Sequence, residues 1–173
     1  IQQSGTVEGC TNSGTLALES GAGNSYVGGI TGYVQNRSTA KLLISNCTNR
    51  GTFGNFTTPK AVGGICGVLH RYCKASTEIN GCKNETELAA TITKSEFYLG
   101  GIVGRMANPG SSIGDHTNYI KNCENLGNVT LTKDGATQST GVFVGGVVGG
   151  VVGLLISTAF QTSFSHVYAF PLV

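Results

Sequence analysis

The stretch "YVGGITGYV", Tyr26–Val34, sets Gly28, Gly29 and Gly32 among apolar residues. Glycine-rich loops of this kind can bring backbone N–H groups against a phosphate. The chain supplies its own control, because the phrase returns: "VGGITG" from Val27, "VGGICG" from Val62, "LGGIVG" from Leu99 and "VGGVVG" from Val144. A phosphate loop closes on Gly-Lys-Ser/Thr, and a dinucleotide fingerprint needs strand, turn and helix with an acidic residue about twenty positions on. The four copies share no Lys, Ser or acid at matching places. They read as architecture, and no cofactor is expected.

A second landmark alternates with the first: "VEGCTNSGTL" from Val7, "ISNCTNRGTF" from Ile44, "INGCKNETEL" from Ile79 and "IKNCENLGNV" from Ile120. Cys10, Cys47, Cys82 and Cys123 are therefore 37, 35 and 41 residues apart (47−10, 82−47, 123−82). The glycine pairs at 28, 63, 100 and 145 are 35, 37 and 45 apart. Two landmarks alternating in this way define an internal repeat of about 36 residues.

Each repeated position has a physical task. Val7, Ile44, Ile79 and Ile120 stand three before the cysteines, and Leu16, Phe53, Leu88 and Val129 stand six after them. All eight are apolar and are expected to point inward. An odd separation would put apolar residue and Cys on opposite faces of a plain strand. The residue before each Cys is Gly9, Asn46, Gly81 or Asn122, the types that tolerate left-handed backbone. A corner there turns both side chains inward. The glycine pair allows a similar bend between Val27, Val62, Leu99, Val144 and Ile30, Ile65, Ile102, Val147. Asn12, Asn49, Asn84 and Asn125 follow the cysteines by two, and stacked Asn at equivalent turns can hydrogen-bond from repeat to repeat.

Composition agrees. Glycine reaches 27 of 173 residues while charged residues are only 12%, which suits short strands and tight turns rather than long helices. The eleven Lys and Arg form no run and have no interleaved aromatics, so nucleic-acid binding is not expected. About three short strands per repeat cannot enclose a core alone, but stacked repeats bury a continuous column. A sandwich also repeats its strands, yet has no reason to repeat residue types at fixed places. The expected fold is all-β, a solenoid of about four coils over residues 1–153, with a strand-rich cap at 154–173.

The recurring Gly-Gly-Ile/Val-x-Gly followed by Asn/Gly-Cys-x-Asn-x-Gly resembles the GLUG-repeat proteins, surface and secreted proteins of bacteria and protists. The resemblance covers roughly residues 5 to 153. It implies a right-handed, β-helix-like solenoid in an extracellular or cell-surface adhesin-like or spacer protein, and it carries no catalytic residues. Partners would be a host-cell or matrix protein or glycan. Since the chain starts at Ile1 inside a repeat, a processed or partial chain is expected. Its open solenoid ends invite self-association into fibres.

The remaining chemistry is sparse. A carbohydrate-cleaving enzyme on such a scaffold needs paired carboxylates, but the chain offers two Asp (Asp115, Asp134) and seven scattered Glu, with only Glu85 and Glu87 on one face. No catalytic residue is therefore assigned. His70 lies between Cys66 and Cys73 but lacks a second ligand pair of zinc spacing, so no metal is assigned. Cys66 reads as a core filler in the place of Thr31 or Val103. Cys66–Cys73 and Cys73–Cys82 are the candidate disulfides if the compartment is oxidising. The sequons fall at Asn36, Asn46, Asn55, Asn84 and Asn128, Asn128 being the best glycan site because inward Val129 follows it. Residues 141–160, "GVFVGGVVGGVVGLLISTAF", have the length of a membrane helix. Their repeat register and six glycines favour a last coil instead.

Overall fold

A computed structural model of the chain describes residues 1–18, 25–54, 60–70, 74–92, 96–107, 118–133 and 141–152. Among these the structure is all-β, with eighteen strands and no helix. The expectation of three strands per repeat is corrected to five strand positions. The first position is Gly5–Glu8, Leu42–Ser45, Thr77–Asn80 and Tyr119–Lys121, and the second is Thr11–Asn12, Thr48–Asn49, Lys83–Asn84 and Glu124–Asn125. The third is Leu88–Ile92 and Val129–Lys133, with a single Leu16–Phe53 bridge in the earlier repeats. The fourth is Tyr26–Gly28, Ala61–Gly63, Glu96–Gly100 and Gly141–Gly145, and the fifth is Thr31–Val34, Cys66–Leu69, Val103–Ala107 and Val148–Val152. The two additional strands arise because the corner before each Cys and the bend at each glycine pair cut longer extended segments in two.

Every pairing joins equivalent strands of successive repeats in parallel, so the fold is β-helix-like. Register follows the landmarks. Val7 pairs with Ile44, Ile44 with Ile79, and Ile79 with Ile120. Val27, Val62, Leu99 and Val144 form a second such column.

The left-handed corners are where the residue types required them. Gly9 and Gly81 have φ of 63° and 64°, and Asn46 and Asn122 each have 51°. Ile44 and Cys47, on either side of one corner, are both fully buried in the same core cluster. There are two such clusters. Leu42, Ile44 and Cys47 pack with fifth-strand Cys66, Leu69, Val103 and Met106 in one. Third-strand Leu88 and Ala90 pack with fourth-strand Val62, Phe97 and Leu99 in the other.

The glycine motif lies between them. A Cβ on Gly63 would stand 2.0 Å from Cys66 O and 2.6 Å from Gly104 N, and one on Gly104 would stand 2.6 Å from Val62 O. The first and third glycines thus bring the fourth and fifth strands together, backbone against backbone, within a repeat and between repeats. The second glycine receives an asparagine: a Cβ on Gly29, Gly64 or Gly101 would fall 2.4 Å from Cγ of Asn49, Asn84 or Asn125.

Residues 141–152, the start of the stretch of membrane-helix length, are two strands paired in register with Glu96–Gly100 and Val103–Ala107. Among the described residues no helix is long and apolar enough to cross a membrane. Residues 153–173, which include the expected cap, lie outside the described residues.

Candidate functional surface

The polar side chains shared by all repeats form ladders along the stack. Asn12 Nδ2 donates to Asn49 Oδ1 at 2.8 Å, Asn49 Nδ2 to Asn84 Oδ1 at 2.8 Å, and Asn84 Nδ2 to Asn125 Oδ1 at 2.7 Å. The row ends where Asn125 Nδ2 donates to Gly127 O. Asn49 and Asn84 are completely buried, so these bonds satisfy groups that water cannot reach. Backbone N–H groups of Gly14 and Gly51 donate to the amide oxygens of Asn12 and Asn49, closing the turn expected after each Cys.

Charges follow the period too. Lys41 pairs with Glu78 at 2.5 Å, Arg50 with Glu85 at 2.7 Å, Lys60 with Glu96 at 3.0 Å and Lys83 with Glu124 at 2.9 Å. Each pair joins neighbouring repeats. Lys121 reaches Glu78 from the other side at 3.3 Å. Hydrogen bonds from Lys41 hold the Glu78 carboxyl below the usual carboxylate range against its own partial burial, with Lys121 adding to the effect. Lys60 does the same for Glu96. Glu85, one of the two clustered carboxylates noted in the sequence, is tied to Arg50 rather than to Glu87.

Cys10, Cys47, Cys82 and Cys123 form a third column. Their S–H groups repeat one geometry, donating to the carbonyl two residues back: Glu8, Ser45, Asn80 and Lys121 at 3.6, 3.2, 3.6 and 3.2 Å. Burial pushes the Cys47 thiol up to about 11 and the Cys66 thiol up to about 12. Cys82 is raised as well, by hydrogen bonding with Cys123 and by burial.

Both candidate disulfides run through Cys73, which lies outside the described residues; Cys66 and Cys82 are free thiols in this structure. Cys66 fills the core in register with Thr31 and Val103, its S–H bonded to Val68 O. Cys73 lies outside the described residues, as do Asn55, His116, His166, Asp115 and Asp134. His70 is half-buried beside Tyr33, with Nδ1 3.3 Å from Gln35 Nε2. Among the described residues no three of His, Cys, Asp and Glu converge on one metal position.

The sequons divide sharply. Asn128 and Asn46 are exposed. Asn36 and Asn84 are fully buried, and their Nδ2 atoms, where a glycan would attach, are committed to Ala40 O and to Thr86 O and Asn125 Oδ1 respectively. Two of the five candidate glycan sites are thus closed in the folded chain.

An aromatic strip went unnoticed in the sequence. Tyr26, Ala61, Tyr98 and Phe143 share one register column, and Tyr33, Val68, Arg105 and Gly150 share another across the glycine bend. Tyr98 and Phe143 stack at 5.0 Å and 8°, Arg105 lies 5.1 Å above Tyr98, and Tyr26 and Tyr33 are 5.8 Å apart. The signal was available as the residues two before the first glycine and one after the third. Phe143 is 45% exposed.

No family model, no curated protein and no solved structure matches this chain.

Proposed function

We propose that this chain is a non-enzymatic, extracellular repeat module, a right-handed β-solenoid of four coils that spaces and presents an adhesin-like surface. On this reading residues 1–153 are GLUG-like coils and 154–173 a C-terminal cap. One observation carries the proposal. The polar residues common to all repeats bond to their own copies in the next repeat, whereas the neighbouring exposed columns change identity even where, as at Arg50 and Glu85, successive members pair. Asn12, Asn49, Asn84 and Asn125 form the constant ladder; the next column reads Ser13, Arg50, Glu85, Leu126, all exposed. Constancy inside and variation outside is the pattern of a scaffold that displays a surface.

Buried, carbonyl-bonded Cys47 and Cys66, whose thiols burial pushes up, react slowly with oxidants, so these two free thiols are compatible with a cell-surface location. The partner class is a host-cell or matrix protein or glycan, met by exposed Phe143, half-buried Arg105 and the variable columns. Fluorescently labelled chain should bind matrix-protein or glycan surfaces saturably, and Phe143→Ser with Arg105→Ala should weaken that binding at least tenfold. Absence of saturable binding to either surface overturns the adhesive reading. Self-association is the second reading, favoured by Tyr119, Leu126, Phe143 and Val144, exposed on the last described repeat.

A further inference from the structure

We infer that the cysteine column is a binding site for soft, two-coordinate d10 cations, held linearly between the sulfurs of successive repeats. Register places the thiols one above another. Thr48 N–H donates to Cys10 O at 2.9 Å, Lys83 N–H to Cys47 O at 2.8 Å and Glu124 N–H to Cys82 O at 2.9 Å. Each sulfur also adopts the same orientation, since Cys47, Cys82 and Cys123 all reach the carbonyl of the apolar residue one repeat back, Val7, Ile44 and Ile79, at 3.7 Å. Identical side chains in register on parallel strands lie one strand spacing apart, about 4.7–4.9 Å.

That spacing selects the ion. Two metal–thiolate bonds of about 2.3 Å laid end to end span about 4.6 Å, so a linear S–metal–S unit bridges neighbouring rungs with little movement. Tetrahedral zinc needs four converging ligands, and among the described residues no group of three is present. Thiolate sulfur favours soft ions. The column also favours neutrality, being lined by Ile44, Ile79 and Val103, where net charge is costly. A divalent ion displaces two protons, M²⁺ + 2 RSH → RS–M–SR + 2 H⁺, and leaves an uncharged unit. A monovalent ion displaces one, leaving RS–M–S(H)R. Access is provided at both ends: Cys10 is exposed and Cys123 is partly buried. The pairs Cys10–Cys47 and Cys82–Cys123 therefore each join a reachable thiol to a buried one.

The test uses the full chain carrying Cys66→Ala and Cys73→Ala, so that only the ladder thiols remain. Titration with mercuric chloride, followed by native mass spectrometry and X-ray absorption, should show one ion per two thiols, each with two sulfur ligands. Silver(I) should give the same two-sulfur shell with half the proton release, which separates the divalent from the monovalent source. Adding Cys47→Ala and Cys82→Ala should abolish two-sulfur coordination while Cys10 and Cys123 still bind singly. One ion per thiol with a single sulfur ligand in the intact ladder overturns the inference. So does tight binding of zinc by that ladder. The intact-ladder measurements stand even if the further Cys47→Ala and Cys82→Ala changes fold poorly, and Cys66→Val, matching Val103 in the same register column, replaces Cys66→Ala if circular dichroism shows that the parent chain has lost its fold.

Discussion

Replacing Asn84 by Ala tests whether the asparagine ladder holds the repeats together or only decorates the turns. Asn84 lies in mid-ladder, fully buried. It accepts from Asn49 at 2.8 Å and donates to Asn125 at 2.7 Å and to Thr86 O at 2.8 Å. Truncation removes all three bonds and leaves Asn49 Nδ2 and Asn125 Oδ1 facing a site that had been closed to water. A buried polar group left without its partner costs about 1–3 kcal/mol. Two such groups, plus the lost packing against Gly64, give about 3–5 kcal/mol. Asn12→Ala is the matched control. It sits at the ladder's end, partly exposed, and gives up one ladder bond and the Gly14 turn bond, where water can substitute. Its cost should be about 1 kcal/mol. Urea unfolding followed by circular dichroism would measure both, and Asn49→Ala combined with Asn84→Ala should cost clearly less than the two singly because the pair shares a bond. Equal effects of Asn84→Ala and Asn12→Ala, or a loss under about 1 kcal/mol for Asn84→Ala, would refute the view that the ladder bears the junction.

Gly64→Ala should destabilise by about 3 kcal/mol or more, because the added Cβ would lie 2.2 Å from Gly101 O and 2.4 Å from Asn84 Cγ. Gly14→Ala, whose Cβ would meet nothing closer than Asn12 Oδ1 at 3.6 Å, should change the melting temperature little. Acid should weaken the fold through Glu78 and Glu96, whose folded-state pKa values are lowered by their lysine partners. A depressed carboxyl contributes stability that is present above the unfolded value of about 4.3 and is lost as pH falls through the lower folded value. Glu78→Gln should therefore reduce stability at pH 7 by about 1 kcal/mol, Lys41 and Lys121 being half exposed. It should also flatten the decline below about pH 5 in thermal melts. An unchanged pH profile would show that these pairs contribute nothing.

The corners before each cysteine were legible because an odd spacing between two inward residues demands a break, and Gly or Asn at the break names its backbone. The asparagine ladder was legible for a related reason: a turn residue that recurs in register has its counterpart as nearest neighbour. Other features escaped because they depend on what crosses the core. That Val62 and Ile65 serve different clusters, with backbone packed against backbone between them, follows from strands one and three meeting opposite sides of the glycine bend. No local spacing reports that meeting.

The ion pairs and the closed sequons were within reach of the same arithmetic that found the repeat. Lys41 to Glu78 is 37 residues and Lys60 to Glu96 is 36, so lysines that look evenly scattered along the chain stand beside acids in the fold. Asn84 matches a glycan sequon and also occupies the ladder position of Asn49, and a position cannot be both in mid-ladder and open to an added sugar. Period thus sorts residues by role: a buried asparagine repeated in register has its copies as partners and is closed to an added sugar. On the adhesive reading proposed above, recognition falls to columns where the type changes from repeat to repeat. Ser13, Arg50, Glu85 and Leu126, one residue beyond the ladder and on the surface, form such a column; exposed Phe143, stacked on buried Tyr98, belongs to another.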